Sequence, residues 1–159
     1  MPTLLAPLIK EFTVKGVEGI PDDDPITVTF RQATQGQELK REEMLTRTLR
    51  RKWDGDNSLE FAEEPTPFSK RMAVDCWLTM VSCNIFDGKT ELFSESFMKT
   101  AKFEDFITRF NKLPSAWANA MYQRCLKVNP DWGFGVTGED DDSEALTEGN
   151  ENAGEPATE

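Results

Sequence analysis

Side chains that commonly catalyse reactions or hold metal ions are sparse in this sequence. The chain has no histidine, which removes the commonest general base and the commonest transition-metal ligand. It also has no G-x-S-x-G serine, no glycine-rich loop with phosphate-binding spacing and no cysteine with a neighbouring base. These absences predict a protein that is not an enzyme, with no catalytic residue, no metal site and no cofactor.

Adjacent carboxylates occur at Glu42 and Glu43, at Glu63 and Glu64, and in the PDDDP turn at 21–25. The aspartate run of that turn lacks the alternating oxygen ligands and the closing glutamate of a calcium loop. We therefore interpret these carboxylates as solvated faces and turns.

Three cysteines, Cys76, Cys83 and Cys125, lie in apolar stretches without a CxxC pair. An odd number in this setting indicates reduced thiols that pack as small hydrophobic side chains in a reducing cytoplasm. The start of the chain, MPTLLAPLIKEF, lacks the basic region and long apolar run of a signal peptide, and no window reaches the roughly 18 apolar residues of a membrane span. We expect a soluble intracellular protein without a membrane partner.

The formal net charge of −11 is concentrated at one end of the chain. Residues 137–159 contain nine acidic residues and no basic ones, which leaves 20 acidic against 18 basic residues in 1–136. A nearly neutral body does not favour direct nucleic-acid binding. The low-complexity acidic end predicts a disordered tail over 137–159.

The most regular pattern is a pair of amphipathic helices separated by Pro114, which disfavours helix before it and suits the first turn of the next helix. The apolar positions recur at helical spacing. They are Phe103, Phe106, Ile107, Phe110 and Leu113 in the first helix, and Trp117, Ala118, Met121, Tyr122, Cys125 and Val128 in the second. Such a helical hairpin cannot bury its aromatic face alone, so the rest of the chain or a partner must cover it.

The remaining elements follow from shorter patterns. Alternation over 8–15 and 26–32 predicts two antiparallel strands, and a third short strand is expected near 59–62. Residues 37–53 and 70–83 predict helices, the second capped by Ser69 and apolar around most of its circumference, with Asp75 exposed on a narrow polar stripe. Residues 92–100 indicate a short helix or an irregular segment.

Together these patterns predict an α+β fold that is mainly α. A small N-terminal β-hairpin (1–33) packs on a bundle of about four helices (34–136), and the two parts form one globular domain followed by the acidic tail. The predicted helix over 37–53 carries Arg47 and Arg51. Its basic end is either a solvated face that complements the helix dipole or a docking site for an acidic partner or for the tail itself.

Several segments, in this order, resemble the tail assembly chaperones of long-tailed bacteriophages. They are a strand ending in TFRQAT (29–34), a charged helix with RR, an apolar helix reaching Cys83-Asn84-Ile85, the pattern F-x-x-F-x-x-x-F-x-x-LP, and VNPDW (128–132). The similarity covers roughly residues 26–133. It implies a non-enzymatic protein of the host bacterial cytoplasm, absent from the mature virion, that keeps the tape measure protein soluble and helps recruit tail-tube subunits.

This resemblance makes the aromatic face of the helical hairpin a candidate groove for apolar helical stripes of the tape measure protein. The candidate partner-binding residues are Phe106, Phe110, Trp117, Met121 and Trp132, with Arg47 and Arg51 on the basic helix. A stripe at helical spacing is most often plain core, in which case the partner surface lies on the basic helix or on the edge of the strands.

Other functions stay open from the sequence. A structural protein of the virion, such as a tail or head-completion subunit, would be present in purified particles. An acidic adaptor or nucleic-acid mimic would depend on residues 139–159. Self-association is a further hypothesis, since amphipathic elements are combined with a nearly neutral body.

Overall fold

The computed structural model describes residues 3–45, 49–53, 59–63 and 66–133, with the backbone alone described in 49–53 and 59–63. In chain order the elements are β1 (Ile9–Val14), β2 (Ile26–Arg31), α1 (Gln35–Leu45), β3 (Leu49–Trp53), β4 (Leu59–Glu63), α2 (Phe68–Thr79), β5 (Met80–Asp87), β6 (Thr90–Phe93), α3 (Glu95–Thr100), α4 (Phe103–Phe110), α5 (Ser115–Val128) and a 3₁₀ turn (Pro130–Gly133).

An antiparallel sheet of four strands in the order β1-β2-β5-β6 forms the centre of the fold. The predicted pairing of the first two strands is confirmed, with Val14 opposite Ile26 and Ile9 opposite Arg31. Alternation along β2 buries Ile26, Val28 and Phe30 on one face, which packs against α5. The other face of β2 is only partly covered.

The helical hairpin predicted around Pro114 is also confirmed. Helix α4 ends at Phe110, and α5 begins at Ser115 with Pro114 at its N-cap. Helix α5 lies between the sheet and α2, while α4 packs on α2. The apolar face that cannot be buried by the hairpin alone is therefore covered by the rest of this same chain.

The helix predicted over 70–83 is wrong at both ends. Helix α2 begins at Phe68 with Pro67, not Ser69, at the N-cap, and it ends at Thr79. From Met80 onward the backbone is extended, and β5 hydrogen-bonds to β2 on one side and β6 on the other. A stretch that is apolar all round fits a buried strand as well as a buried helix, and here the two neighbouring strands decide the outcome.

The helix predicted over 37–53 is likewise shorter. Helix α1 ends at Leu45, and Leu49–Trp53 forms strand β3, paired with β4 so that Lys52 lies opposite Glu60. The four-residue spacing of Leu45, Leu49 and Trp53 is typical of a helix, but it carries no information about the cross-strand partners in Leu59–Glu63. The strand expected near 59–62 is confirmed as β4.

The segment 92–100 divides into the end of β6 and helix α3, whose first turn is capped by the Ser94 side chain. The mixed α+β class is confirmed, whereas the division into an N-terminal hairpin (1–33) and a helical part (34–136) is wrong, because β5 and β6 complete the sheet. None of the helices in the described ranges is long and apolar enough to cross a membrane. The predicted acidic tail, 137–159, lies outside the described residues.

Candidate partner-binding surface

The aromatic stripe of α4 and α5 lies inside the protein. Phe106 has no exposed surface, and its ring centroid lies 5.4 Å from that of Phe93 and 5.2 Å from that of Phe110. Phe110, Met121 and Trp132 are buried as well. In this conformation these side chains form core and offer no surface to a partner, which is the alternative that their helical spacing left open.

The other predicted partner-binding residues lie elsewhere. Trp117 is partly exposed at the start of α5, and its indole N–H donates to the carbonyl oxygen of Glu18 at 2.9 Å, which ties the β1–β2 loop to the helix. Arg51 lies in β3, with its Cα paired to that of Phe61. Arg47 lies outside the described residues. The candidates whose side chains are described therefore do not form one exposed surface.

A buried polar cluster centres on Asp75, a residue that the sequence pattern predicts to be exposed. That prediction is wrong: Asp75 has no exposed surface, because the polar stripe of α2 faces α1 and α5. The Arg41 guanidinium donates to both carboxylate oxygens at 2.6 and 3.2 Å, and the Tyr122 hydroxyl donates to one of them at 3.1 Å. Three helices thus meet at a single carboxylate.

This cluster extends to the end of the described chain through Trp132. The Arg41 guanidinium carbon lies 4.7 Å from the centroid of the Trp132 ring, within the range of a cation–π contact. The indole N–H of Trp132 in turn donates to the Glu38 carboxylate oxygens at 2.8 and 2.9 Å. Helix α1 is therefore fastened both to α2 and to the 3₁₀ turn that follows α5.

Burial and the charge of Asp75 together shift the pKa values of this cluster. Burial raises the pKa of Asp75, against the opposing effects of the Arg41 and Tyr122 hydrogen bonds. Burial also raises the pKa of Tyr122, and the Asp75 charge raises it further. Burial alone would lower the pKa of Arg41, but the hydrogen bond and charge of Asp75 outweigh it, so that pKa is raised. Both Asp75 oxygens accept hydrogen bonds from side chains of other helices, so this carboxylate joins α1, α2 and α5.

The stability contributed by Asp75 is expected to fall as the pH rises. A carboxyl group whose pKa is raised in the folded state favours folding most below its ordinary pKa of 3.8, and less as the pH rises through the folded-state value. As the pH rises from 3.8 through the folded-state pKa of Asp75, the unfolding free energy of the wild type should therefore fall relative to that of Asp75→Asn. Urea denaturation of both proteins at a series of pH values measures this difference, and a difference that grows with pH contradicts the expectation.

Two of the segments that carry the phage resemblance meet at Asn129. Its buried side-chain carbonyl accepts a hydrogen bond from the Ala33 backbone N–H at 2.8 Å, and its amide donates to the Arg31 carbonyl oxygen at 3.2 Å. This residue therefore joins the end of β2 to the end of α5. The geometry assigns TFRQAT and VNPDW to the scaffold of the fold.

No group of three or more metal-ligating side chains is placed to hold a metal ion within the described ranges. Cys76, Cys83 and Cys125 are free and buried, so the prediction that they pack as hydrophobic thiols is confirmed. Burial raises the pKa of Cys76 well above its ordinary value and that of Cys83 to about 12. These two thiols therefore stay protonated at neutral pH and are poor nucleophiles.

The exposed apolar side chains are concentrated before and at the start of β1. Among the described residues, seven large apolar side chains are strongly exposed, and four of them fall within residues 4–9. These four are Leu4, Leu5, Leu8 and Ile9. We call them, together with the unpaired edge of β1, the N-terminal edge. A contiguous apolar segment of this kind is typical of an interaction surface.

The backbone of β1 adds hydrogen-bonding groups to this edge. The Gln32 N–H donates to the Leu8 carbonyl oxygen at 2.7 Å, which makes those two residues a hydrogen-bonded pair in the β1–β2 register. The bonding alternates along an antiparallel pair, so Ile9, Glu11 and Thr13 direct their N–H and C=O groups away from β2. No strand pairs with that side of β1 in the described part of the chain.

A shallow cleft of about 200 Å³ lies between Trp117 and the exposed Phe86, with Ile20, Ile26 and Ile85 among its lining residues. Typical small-molecule sites measure roughly 300–1,000 Å³. The cleft is therefore better suited to a single side chain of a protein partner than to a whole ligand.

Sequence reasoning assigned no role to Leu4 and Leu5. The strand alternation begins only at Leu8, so these two leucines belong to no amphipathic element. The sequence signal for an exposed apolar surface here is the presence of apolar residues outside any predicted element. The strand edge, by contrast, was among the alternatives that the sequence left open.

Comparison with known proteins adds no relative. No protein-family model, no curated protein and no solved structure matches the chain. The assignment of a function therefore depends on the residues of this chain and on the surfaces that the fold leaves exposed.

Proposed function

We propose that this protein is a phage tail assembly chaperone, a non-enzymatic protein that binds the tape measure protein through the N-terminal edge. It keeps the tape measure protein soluble in the host cytoplasm, helps recruit tail-tube subunits and is absent from the finished particle. The resemblance of residues 26–133 supports the biological setting. The observation that carries the binding role is the concentration of exposed apolar side chains beside an unpaired strand edge.

The N-terminal edge suits a polypeptide partner in two ways. Its outward backbone groups can pair with an extended segment, which is the β-augmentation mode of peptide recognition. Its leucine and isoleucine side chains each contribute about 1.5–3 kcal/mol when a partner buries them completely. A groove built from Phe106, Phe110 and Met121 would first require the core to open. The edge therefore replaces the aromatic stripe as the proposed contact.

A matched pair of leucines tests this assignment. Leu8 on the N-terminal edge and Leu39 on α1 are both 57% exposed. Replacing Leu8 by serine should weaken binding of the tape measure protein about 10-fold or more, because the loss of one buried leucine corresponds to at least that factor. The same substitution at Leu39 should leave binding unchanged. The readout is the amount of soluble tape measure protein that co-purifies from cells producing both proteins.

Equal effects of the two substitutions would contradict the role of the N-terminal edge. If the tape measure protein precipitates regardless of the wild-type chain, the chaperone function itself is contradicted. Finding the chain in purified particles would support the structural-protein alternative instead. If deletion of 137–159 abolishes activity and the remaining residues 1–136 do not bind the tape measure protein, the acidic mimic is supported.

A further inference from the structure

The unpaired edge of β1 has a charge pattern that is complementary to itself. The negatively charged Glu11 lies on this edge, and the positively charged Lys15 follows one residue beyond the end of β1. Both side chains are exposed. Exposed strand edges tend to pair with other chains unless they are covered. A strand that pairs here must match both the backbone groups and the charges of this edge.

The backbone restricts how a second copy can pair. Because Ile9, Glu11 and Thr13 present their N–H and C=O groups to the open edge, an antiparallel partner must place its own outward residues directly opposite them. Two copies of β1 satisfy this condition about a two-fold axis that lies midway between one residue of β1 and the same residue of the second copy; we refer to this as an axis through that residue. The choice of that residue sets the register.

Charge selects one register. An axis through Lys10 or Glu11 places that residue opposite its own copy, where like charges destabilise the pair. Within residues 9–15, an axis through Phe12 or Val14 brings no opposite charges together. An axis through Thr13 places Glu11 of each copy opposite Lys15 of the other, which gives two favourable cross-strand pairs.

We propose that two copies of this protein pair antiparallel through β1 about Thr13 and join their sheets into one. On the inner face, this register places the half-buried Phe12 opposite Val14 of the second copy, so the apolar row continues across the axis. On the outer face, the two threonines lie opposite each other, flanked by the two Glu11–Lys15 pairs. The dimer leaves Leu4 and Leu5 outside the paired segment.

This pairing goes beyond the proposed function and does not depend on it. The two are linked only because a second copy and a segment of the tape measure protein would use the same edge of β1. If both occur, they compete, and the dimer protects the edge until the partner is present. The charge-reversal experiment below needs no partner, so its failure is separable from a failure of the chaperone proposal.

Charge reversal tests the register in the full-length protein. Glu11→Lys and Lys15→Glu each convert both cross-strand pairs into like-charge pairs, and each should weaken dimerisation about 10-fold. The double variant Glu11→Lys/Lys15→Glu restores opposite charges and should recover dimerisation to within about threefold of the wild type. Lys10→Glu is the control. It changes the net charge by the same amount as Lys15→Glu, but in this register residue 10 lies opposite Gly16 of the second copy and not opposite a charged residue. Sedimentation equilibrium over a range of concentrations measures the dissociation constant.

Proline at position 13 provides an independent check. The Thr13 N–H points to the open edge of β1 and bonds to no other strand in the described part of the monomer. Proline is tolerated at such positions of an edge strand, so Thr13→Pro should keep the fold. Because proline has no N–H to donate to the second copy, the variant should lose the dimer. Circular dichroism checks the fold of this variant and of the four charge variants. A wild type that remains monomeric up to about 1 mM, a double variant that does not recover, or a Lys10→Glu control as weak as Lys15→Glu would each overturn the proposal.

Discussion

Replacing Phe106 by alanine is expected to lower the free energy of unfolding by about 3–5 kcal/mol, the range found for deletion of a buried aromatic side chain. Phe106 has no exposed surface and packs against the rings of Phe93 and Phe110. The substitution removes apolar contacts and leaves a cavity that a close-packed core only partly fills. Chemical denaturation followed by tryptophan fluorescence and circular dichroism measures the loss.

The matched control is Phe86→Ala. Phe86 is 59% exposed on β5, and the same chemical change there should alter stability by no more than about 0.5 kcal/mol, as is usual for surface substitutions. The comparison also separates two roles for the aromatic stripe. If Phe106→Ala retains its stability and loses only the binding of the tape measure protein, Phe106 is a partner contact after all and its placement in the core is contradicted.

Replacing Asp75 by alanine should cost a similar amount, about 3–5 kcal/mol, which is typical when one partner of a buried ion pair is removed. The substitution leaves the Arg41 guanidinium, whose side chain is only 18% exposed, without its counter-ion, and it removes the acceptor for the Tyr122 hydroxyl. Helix α1 should loosen first, because Asp75 anchors it to α2. Denaturant titration gives the global loss, and hydrogen exchange of α1 amides reports the local opening.

Two comparisons define the cause of that loss. Asp87→Ala breaks an ion pair with Lys112 in which both side chains are more than half exposed, so it should cost only about 0–1 kcal/mol. The double substitution Asp75→Leu/Arg41→Met replaces the pair by apolar side chains and should recover most of the stability. If the double variant is as unstable as Asp75→Ala, the loss does not come from an uncompensated Arg41 charge.

Local sequence patterns were sufficient to predict an element where the residues that begin or end it lie within the element or next to it. Pro114 separates α4 from α5 in the sequence as it does in the structure, and strict alternation of Ile26, Val28 and Phe30 marks β2 together with its buried face. Such features depend on backbone sterics and on the periodicity of side chains, which act over a few residues. They identify the element wherever it lies in the fold.

Local patterns were insufficient where an apolar stretch fits either kind of element. Met80–Asp87 continues an apolar helix in sequence, yet it forms the strand between β2 and β6, and Leu49–Trp53 extends a helical spacing but pairs with β4. In both cases the hydrogen bonds come from segments elsewhere in the chain. The free energy of those long-range pairs outweighs weak local propensity.

By itself, the sequence determined the α+β class, the helical hairpin around Pro114, the first pair of strands and the packing of the three cysteines as buried thiols. The tertiary structure alone decided that Phe106, Phe110 and Met121 are core, that Asp75 is buried against Arg41, and that Leu4, Leu5 and Leu8 remain exposed beside the unpaired edge of β1. Periodicity indicates which residues need burial, whereas the cover for each face comes from strands and helices distant in the chain. The surface that remains uncovered is therefore a property of the assembled fold.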